Sequence, residues 1–326
     1  MSKTRYEVSG NGARPYGAST IREVLKEQSF VPYYETQCGA AYHGDSLELL
    51  PCLPDGSVNL ILTSPPFALT RKKEYGNKSA EEYVDWFLQF APDFRRVLAE
   101  DGSLVIDFGG AYLPGYPVRS VYQFEVLVRL CKEHHFHLAQ EFYHYNPARL
   151  PAPAEWVNVR RIRVKDSVNV VWWLSKSEFP KADNRRVLKP YSDSMEQLLQ
   201  NGYKAKLRPS GHDISGNFSK RHNGAIPPNL LEIANTESNS EYLRRCKETG
   251  MKPHPARFPS AFADFFIRFL TDEGDTVLDP FAGSNTTGAT AEALHRAWIA
   301  FELREDYLEG SKFRFSEELT LFPLRR

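Results

Sequence analysis

Short apolar runs recur along the chain, each closed by a polar or glycine-containing turn, and stretches of helical spacing lie between several of them. Val58, Leu60, Ile61 and Leu62 form one such run after Asp55-Gly56-Ser57 and predict a buried strand. Residues 40–45 predict an earlier strand that ends in an acid, Asp45, with a helical turn at 46–50. Tyr83, Phe87, Phe90, Phe94, Val97 and Leu98 recur at steps of three and four. With Ser79 and Glu82 as a capping box they predict one amphipathic helix, closed by Gly102. A strand at 103–107 ends in Asp107 and runs into Gly109 and Gly110. A helix over 123–134 and strands over 138–145 and 168–174 extend a parallel βαβ alternation.

Residues 179–248 lose this rhythm and are rich in Pro, Gly, Asn, Ser and cations. Beyond them Ser260 heads a helix carrying Phe262, Phe265, Phe266, Phe269 and Leu270. A strand at 276–279, a glycine-containing turn, a helix at 289–296 and a strand at 298–302 close the pattern. The expected fold is α/β, a doubly wound, mostly parallel Rossmann-like sheet interrupted by an irregular basic insertion.

Composition narrows the function classes. The 326 residues suffice for one large domain with an insertion, and 41% hydrophobic residues supply a core. Formal net charge is zero, so any contact with a polyanion has to come from local clusters. Between Lys181 and His222 stand nine Lys/Arg against four Asp/Glu, interleaved with Tyr191, Tyr203, His212 and Phe218. Arg160, Arg161, Arg163 and Lys165 lie just upstream. Cations of this kind meet phosphates, and amides and guanidiniums among them meet base edges. Four scattered cysteines without a paired motif, and no apolar run of spanning length, point to a reduced, cytoplasmic setting and away from a membrane. The run His134-His135-Phe136-His137 falls short of the full ligand set that a metal site needs, so no metal is expected.

Two stretches carry chemistry. Thr63-Ser64-Pro65-Pro66-Phe67 follows the strand at 58–62. Two prolines cannot extend a ladder, and their fixed φ makes a stiff corner at the carboxyl edge of the sheet, where open α/β sheets bind ligands. A serine oxygen, the Pro65 carbonyl and the Phe67 ring suit a flat heterocycle bearing an amino group. The polar loop Arg71-Lys72-Lys73 just beyond is placed to contact such a substrate.

The second stretch is Asp279-Pro280-Phe281-Ala282-Gly283-Ser284-Asn285-Thr286-Thr287-Gly288, with Glu302 nineteen residues after Gly283. Glycine lets the backbone approach a ligand, the helix start offers free N–H groups, and an acid at the next strand end accepts from ribose hydroxyls. Gly-x-Gly-x-x-Gly is absent, which disfavours a dinucleotide. An acid, Asp279, directly after the strand suits a cofactor with a positive centre such as S-adenosylmethionine. Asp45 is expected near the adenine edge of that cofactor.

Together these two motifs resemble those of the DNA amino-methyltransferases. Catalytic motif first, cofactor motif last and a basic insertion between is the order of their β class. Residues 254–258 resemble the stretch that touches the methionine end, which would make His254 a cofactor contact. The runs 208–214 and 226–231 resemble those of a modification enzyme in that class. The resemblance implies an S-adenosylmethionine-dependent domain at 36–178 and 250–326, an N-terminal arm at 1–35 and a target-recognition region at 179–249. It implies catalysis by Ser64, Pro65, Pro66 and Phe67, with Asp107 orienting Ser64 or helping to remove the amino proton. Cofactor contacts would be Asp279, Phe281, Gly283, Ser284, Asn285, Thr286 and Glu302. Candidate DNA contacts are Arg208, Ser210, His212, Asp213, Lys220, Arg221 and Asn223.

In that class a serine at the first position usually accompanies cytosine N4, so Ser64 implies a cytosine-N4 enzyme on double-stranded DNA, paired with a restriction endonuclease. Adenine N6 on the same scaffold is the nearest alternative. A nicotinamide-dependent oxidoreductase or a non-catalytic DNA-binding module is more remote. A cytosine-C5 mechanism is excluded, because the only Pro-Cys pair, Pro51-Cys52, lies in a turn before the catalytic strand.

Overall fold

The computed structural model describes residues 18–67, 80–201, 222–235 and 240–315. Among the described residues nine strands form one sheet: β1 (Tyr34–Glu35), β2 (Gly39–His43), β3 (Val58–Thr63), β4 (Leu98–Phe108), β5 (His137–Tyr145), β6 (Val168–Ser175), β7 (Leu230–Glu232), β8 (Thr276–Asp279) and β9 (Ala297–Glu302). Helices α1 (Ala18–Glu27), α2 (Ser46–Leu49), α3 (Ala80–Leu88), α4 (Ala91–Val97) and α5 (Tyr122–Lys132) belong to the first half. Helices α6 (Asp193–Asn201), α7 (Glu241–Glu248), α8 (Ser260–Leu270), α9 (Thr286–Ala293) and α10 (Glu305–Ser311) belong to the second. No described helix is long and apolar enough to cross a membrane.

Strand order is β1-β2-β9-β8-β3-β4-β6-β5-β7. The five central strands, β2 to β4 in that order, are mutually parallel. Alternation along each strand decides which layer a side chain enters. Leu60 and Leu62 pack with Phe262, Phe266 and Trp298 on one face, while Ile61 packs with Phe87, Phe94 and Leu104 on the other. Helices cover both faces, so the central strands read as continuous apolar runs.

The chain departs from the expected pattern in three places. The single helix expected up to Leu98 is two, α3 and α4, because Pro92 stands in the first turn of α4 and has no N–H to continue the ladder of α3. Ser79, the expected cap, lies outside the described residues. Gly102 does not precede β4 but lies inside it, beside the register shift between Val58 and Leu60 on the paired strand. A Cβ there would fall 2.9 Å from the Ala99 carbonyl oxygen. Finally, β6 runs antiparallel to both β4 and β5, which ends the parallel alternation. Residues 179–201, 222–235 and 240–249, the described parts of the basic region, tie into this scaffold. They contribute β7, which pairs with β5, and Lys181, whose Nζ bonds the Asp275 carboxylate at 2.7 Å.

Candidate active site

Strands β3 and β8 are direct neighbours, with Leu60 opposite Val277 and Ile61 opposite Leu278. That pairing brings the Pro-Pro corner and the glycine turn together, although they are more than two hundred residues apart in sequence. Side chains reinforce it: Thr63 Oγ1 donates to Asp279 Oδ1 at 2.7 Å, and Thr276 N donates to Asn59 Oδ1 at 2.9 Å. A cavity of about 750 Å³ opens at the carboxyl ends of these strands, lined by both motifs.

One wall is the corner itself. Ser64 Oγ donates to the main-chain carbonyl of Asp107 at 3.3 Å, and Pro65 is buried beside it. Phe67 lies against Gly109, where a Cβ would come within 2.4 Å of the ring, so no larger residue fits under it. Asp107 is buried at the end of β4, next to β3 as the alternation implied. The Ser64 hydroxyl bonds the Asp107 main-chain oxygen, and the Asp107 carboxylate meets other side chains. Oδ2 receives Asn169 Nδ2 at 3.4 Å and lies 3.9 Å from His144 Nδ1. Arg149 donates in turn to Asn169 Oδ1 at 3.0 Å. Asp107 Oδ1 and His144 Nδ1 are buried without a hydrogen-bond partner among the described residues. Arg149, His144, Asn146 and Asn169 all line the cavity, and none was anticipated from sequence. The available signal was a polar side chain inside an apolar strand, as at Asn169 in Val168-Asn169-Val170-Val171.

The other wall is built by β8, α9 and β9. Gly283 has φ +52°, and a Cβ there would meet the His254 ring at 3.0 Å, so two constraints select glycine. His254 is held edge-on to Tyr307, ring centroids 4.3 Å apart. Phe281 packs on Phe90 at 5.0 Å, and Ser284 and Thr286 also line the cavity. Glu302 ends β9 and takes N–H donors from Gly283 at 2.7 Å and Arg304 at 2.9 Å. Burial pushes its carboxyl up to about 7, with the main-chain donors pulling the other way. Asp45 lies just past β2, caps α2 by accepting from Leu47 N at 2.9 Å, and lines the same cavity.

Two expected cofactor contacts are placed differently. Asp279 is 2% exposed and does not line the cavity. Its oxygens are taken by Thr63, Thr287 and the Phe281 N–H, and burial raises its carboxyl to about 6. It braces the turn from behind. Asn285 is fully buried in a left-handed conformation, caps α9 through Gly288 N, and donates to the Tyr34 hydroxyl at 2.9 Å. It is a structural cap, since an N-cap side chain is committed to its own helix. Of the expected DNA contacts, Arg71, Lys72, Lys73, Arg208, Ser210, His212, Asp213, Lys220 and Arg221 lie outside the described residues. Asn223 is described and exposed, and it does not line the cavity.

A model of the DNA methylase family matches residues 58–313, a span that takes in both motifs. The Type II methyltransferase M.PvuII of Proteus hauseri is 57% identical over 287 residues, covering 87% of this chain and 85% of that protein. A DNA adenine methyltransferase of Escherichia coli, YhdJ, is 25% identical over 269 residues, covering 82% and 79%. Among solved structures, the PvuII DNA methyltransferase (cytosine-N4-specific) superposes with a TM-score of 0.72 at 49% identity, covering 90% of each chain. With its two motifs meeting across paired strands in one cavity, this chain belongs to the DNA methylase family.

Proposed function

We propose that the chain transfers a methyl group from S-adenosylmethionine to N4 of a cytosine rotated out of duplex DNA. The observation that carries this reading is the shared cavity, in which Ser64 to Phe67 face the turn around Gly283. The choice of cytosine follows Ser64 and the high identity to a relative whose solved structure is described as cytosine-N4-specific.

The glycine-turn wall fits the cofactor. Each carboxylate oxygen has two lone pairs, so Glu302 keeps acceptor capacity for a ribose diol beyond the two main-chain donors it already holds. Gly283 leaves room where any Cβ would press on His254. When bound, the sulfonium supplies a methyl group already activated for transfer.

The remaining work falls to the corner. An amino group buried in a duplex is out of reach, so the base has to be extruded into the cavity. Phe67 stacks on the ring. Ser64 Oγ and the Pro65 carbonyl accept from the amino hydrogens and strengthen as positive charge develops on nitrogen. The bond from Ser64 to the Asp107 carbonyl fixes the hydroxyl proton and leaves its lone pairs toward the substrate. Asp107 Oδ1, with no partner among the described residues, is the acceptor we assign to the departing amino proton. A restriction endonuclease of the same sequence specificity is the functional partner we propose, because the similar relatives are named Type II methyltransferases.

The test is incubation of unmodified DNA with labelled methyl donor, followed by digestion to nucleosides. N4-methylcytosine is expected. N6-methyladenine would move the assignment to the alternative carried by the YhdJ likeness, and no incorporation would sink both.

A further inference from the structure

Residues 147–166, the connection between β5 and β6, hold five cations against two acids in a chain of zero net charge. The segment starts at the cavity, which Asn146 and Arg149 line, and returns to it at Asn169. Its feet are braced. Lys165 Nζ donates to the carbonyls of Pro147 and Arg149, at 3.4 and 3.2 Å. Arg163 donates to the Pro117 carbonyl at 2.7 Å, stacks over Tyr112 at 5.0 Å and lies 3.7 Å from Asp166, which Arg119 also pairs.

Between those braces the tip does the opposite of packing. Leu150, Val159, Ile162 and Val164 are 79%, 69%, 58% and 84% exposed. Four branched aliphatics left in the open within one short connection, among cations, suit a surface that another molecule covers. Arg160 lies over Trp156 and pairs with Glu155, yet its side chain is 61% exposed. Arg161 is exposed, in a left-handed conformation, and has no ion pair among the described residues.

We propose that this arch is a DNA-contacting element on the rim of the base pocket: Arg160 and Arg161 neutralise phosphates beside the target, and Ile162 and Val164 press on the base stack opened by extrusion. Duplex DNA is favoured over an apolar protein partner because the exposed aliphatics alternate with cations and the chain at either end of the arch, at Arg149 and Asn169, lines the cavity. Apolar wedges next to cations are how proteins stabilise unstacked steps in DNA. The inference rests on the methyltransferase reading and adds to it a surface outside residues 179–249, where target contacts were expected.

The experiment uses the full chain and a duplex oligonucleotide carrying the methylated site found by mapping, with 2-aminopurine at the target position for the fluorescence arm. Arg160→Ala with Arg161→Ala should weaken non-specific duplex binding about tenfold and lower the slope of log affinity against log salt by about two. Ile162→Ser with Val164→Ser should hold duplex affinity, dim the 2-aminopurine signal of extrusion and slow methylation of a paired target about tenfold. A mispaired target cytosine, already cheap to extrude, should restore that rate. S-adenosylmethionine affinity should be unchanged in both variants.

Unchanged salt slope and unchanged extrusion would overturn the proposal. So would loss of cofactor affinity, which would mean the arch acts through the fold, or loss of a dimer in sedimentation with DNA binding intact. If the wild type methylates nothing, the functional reading fails instead, and the salt slope on non-specific duplex still decides the arch.

Discussion

Along the glycine-turn wall of the cavity, buried acids are met by donors: Asp279 by Thr63, Thr287 and the Phe281 N–H, Glu302 by the N–H groups of Gly283 and Arg304. Across the cleft, Asp107 Oδ1 and His144 Nδ1 are as deeply buried and lack partners among the described residues. Unmet buried polar atoms cost stability, and a cavity acid left with one oxygen unmet marks its wall as open to an incoming group. On the cofactor side every carboxylate oxygen of Asp279 and Glu302 has a donor from the chain, whereas on the target side Asp107 Oδ1 does not.

The largest expected effect lies on the unfinished wall. Ser64→Ala should lower methyl transfer by about a hundred- to a thousandfold, the usual cost of losing one preorganised acceptor or donor at a reacting centre. Cofactor affinity, read by isothermal titration, should stay unchanged. A matching loss of cofactor binding would show that the two walls are not separable.

The sharpest contrast pairs Asp107→Asn with Asp279→Asn. Removing a carboxylate that has an unmet oxygen should hold or raise the melting temperature while cutting kcat about a hundredfold. Asp279→Asn instead puts an NH2 against hydroxyl donors and should cost about 1–3 kcal/mol of stability. Equal melting temperatures for the two variants would dissolve the distinction.

Gly283→Ala should weaken cofactor binding about tenfold, since a Cβ meets the His254 ring while φ is +52°. Smaller still is the effect of pH. Burial raises the carboxyls of Asp279 and Glu302 to about 6 and about 7, above the ordinary carboxylate range. A raised acid stabilises the folded chain in its protonated form, so that contribution is full at low pH and is lost as pH rises through those values. Ribose hydroxyls need the ionised Glu302 as acceptor, so cofactor affinity should increase severalfold from about pH 6 to about pH 8 and then level off. Glu302→Gln should flatten that profile.

Much of this site could be read before any coordinates existed. Local physics writes strands such as 58–62 and 298–302 into alternation and apolar runs, and it writes the corner at Ser64 and the turn at Gly283 into proline and glycine. The acid at Glu302 followed from spacing alone. Asp279 and Asn285, expected as cofactor contacts, have their side chains buried within the turn, because a motif gives residue type but not the side of the turn on which a side chain falls. His144, Asn169 and Arg149 carried only the faint signal of polarity within or beside strands. Their meeting with Asp107 depends on β6 running antiparallel beside β4.

Sequence by itself determined most of the central strands, where the chain must bend and which atoms are offered at each bend, because these follow from neighbours a few residues apart. Tertiary structure alone decided that β3 lies against β8, that the two bends share one cavity, and that one wall has its acids satisfied while the other does not. Strand partners are chosen by burial and hydrogen bonding between segments distant in the chain, and no local pattern contains that choice.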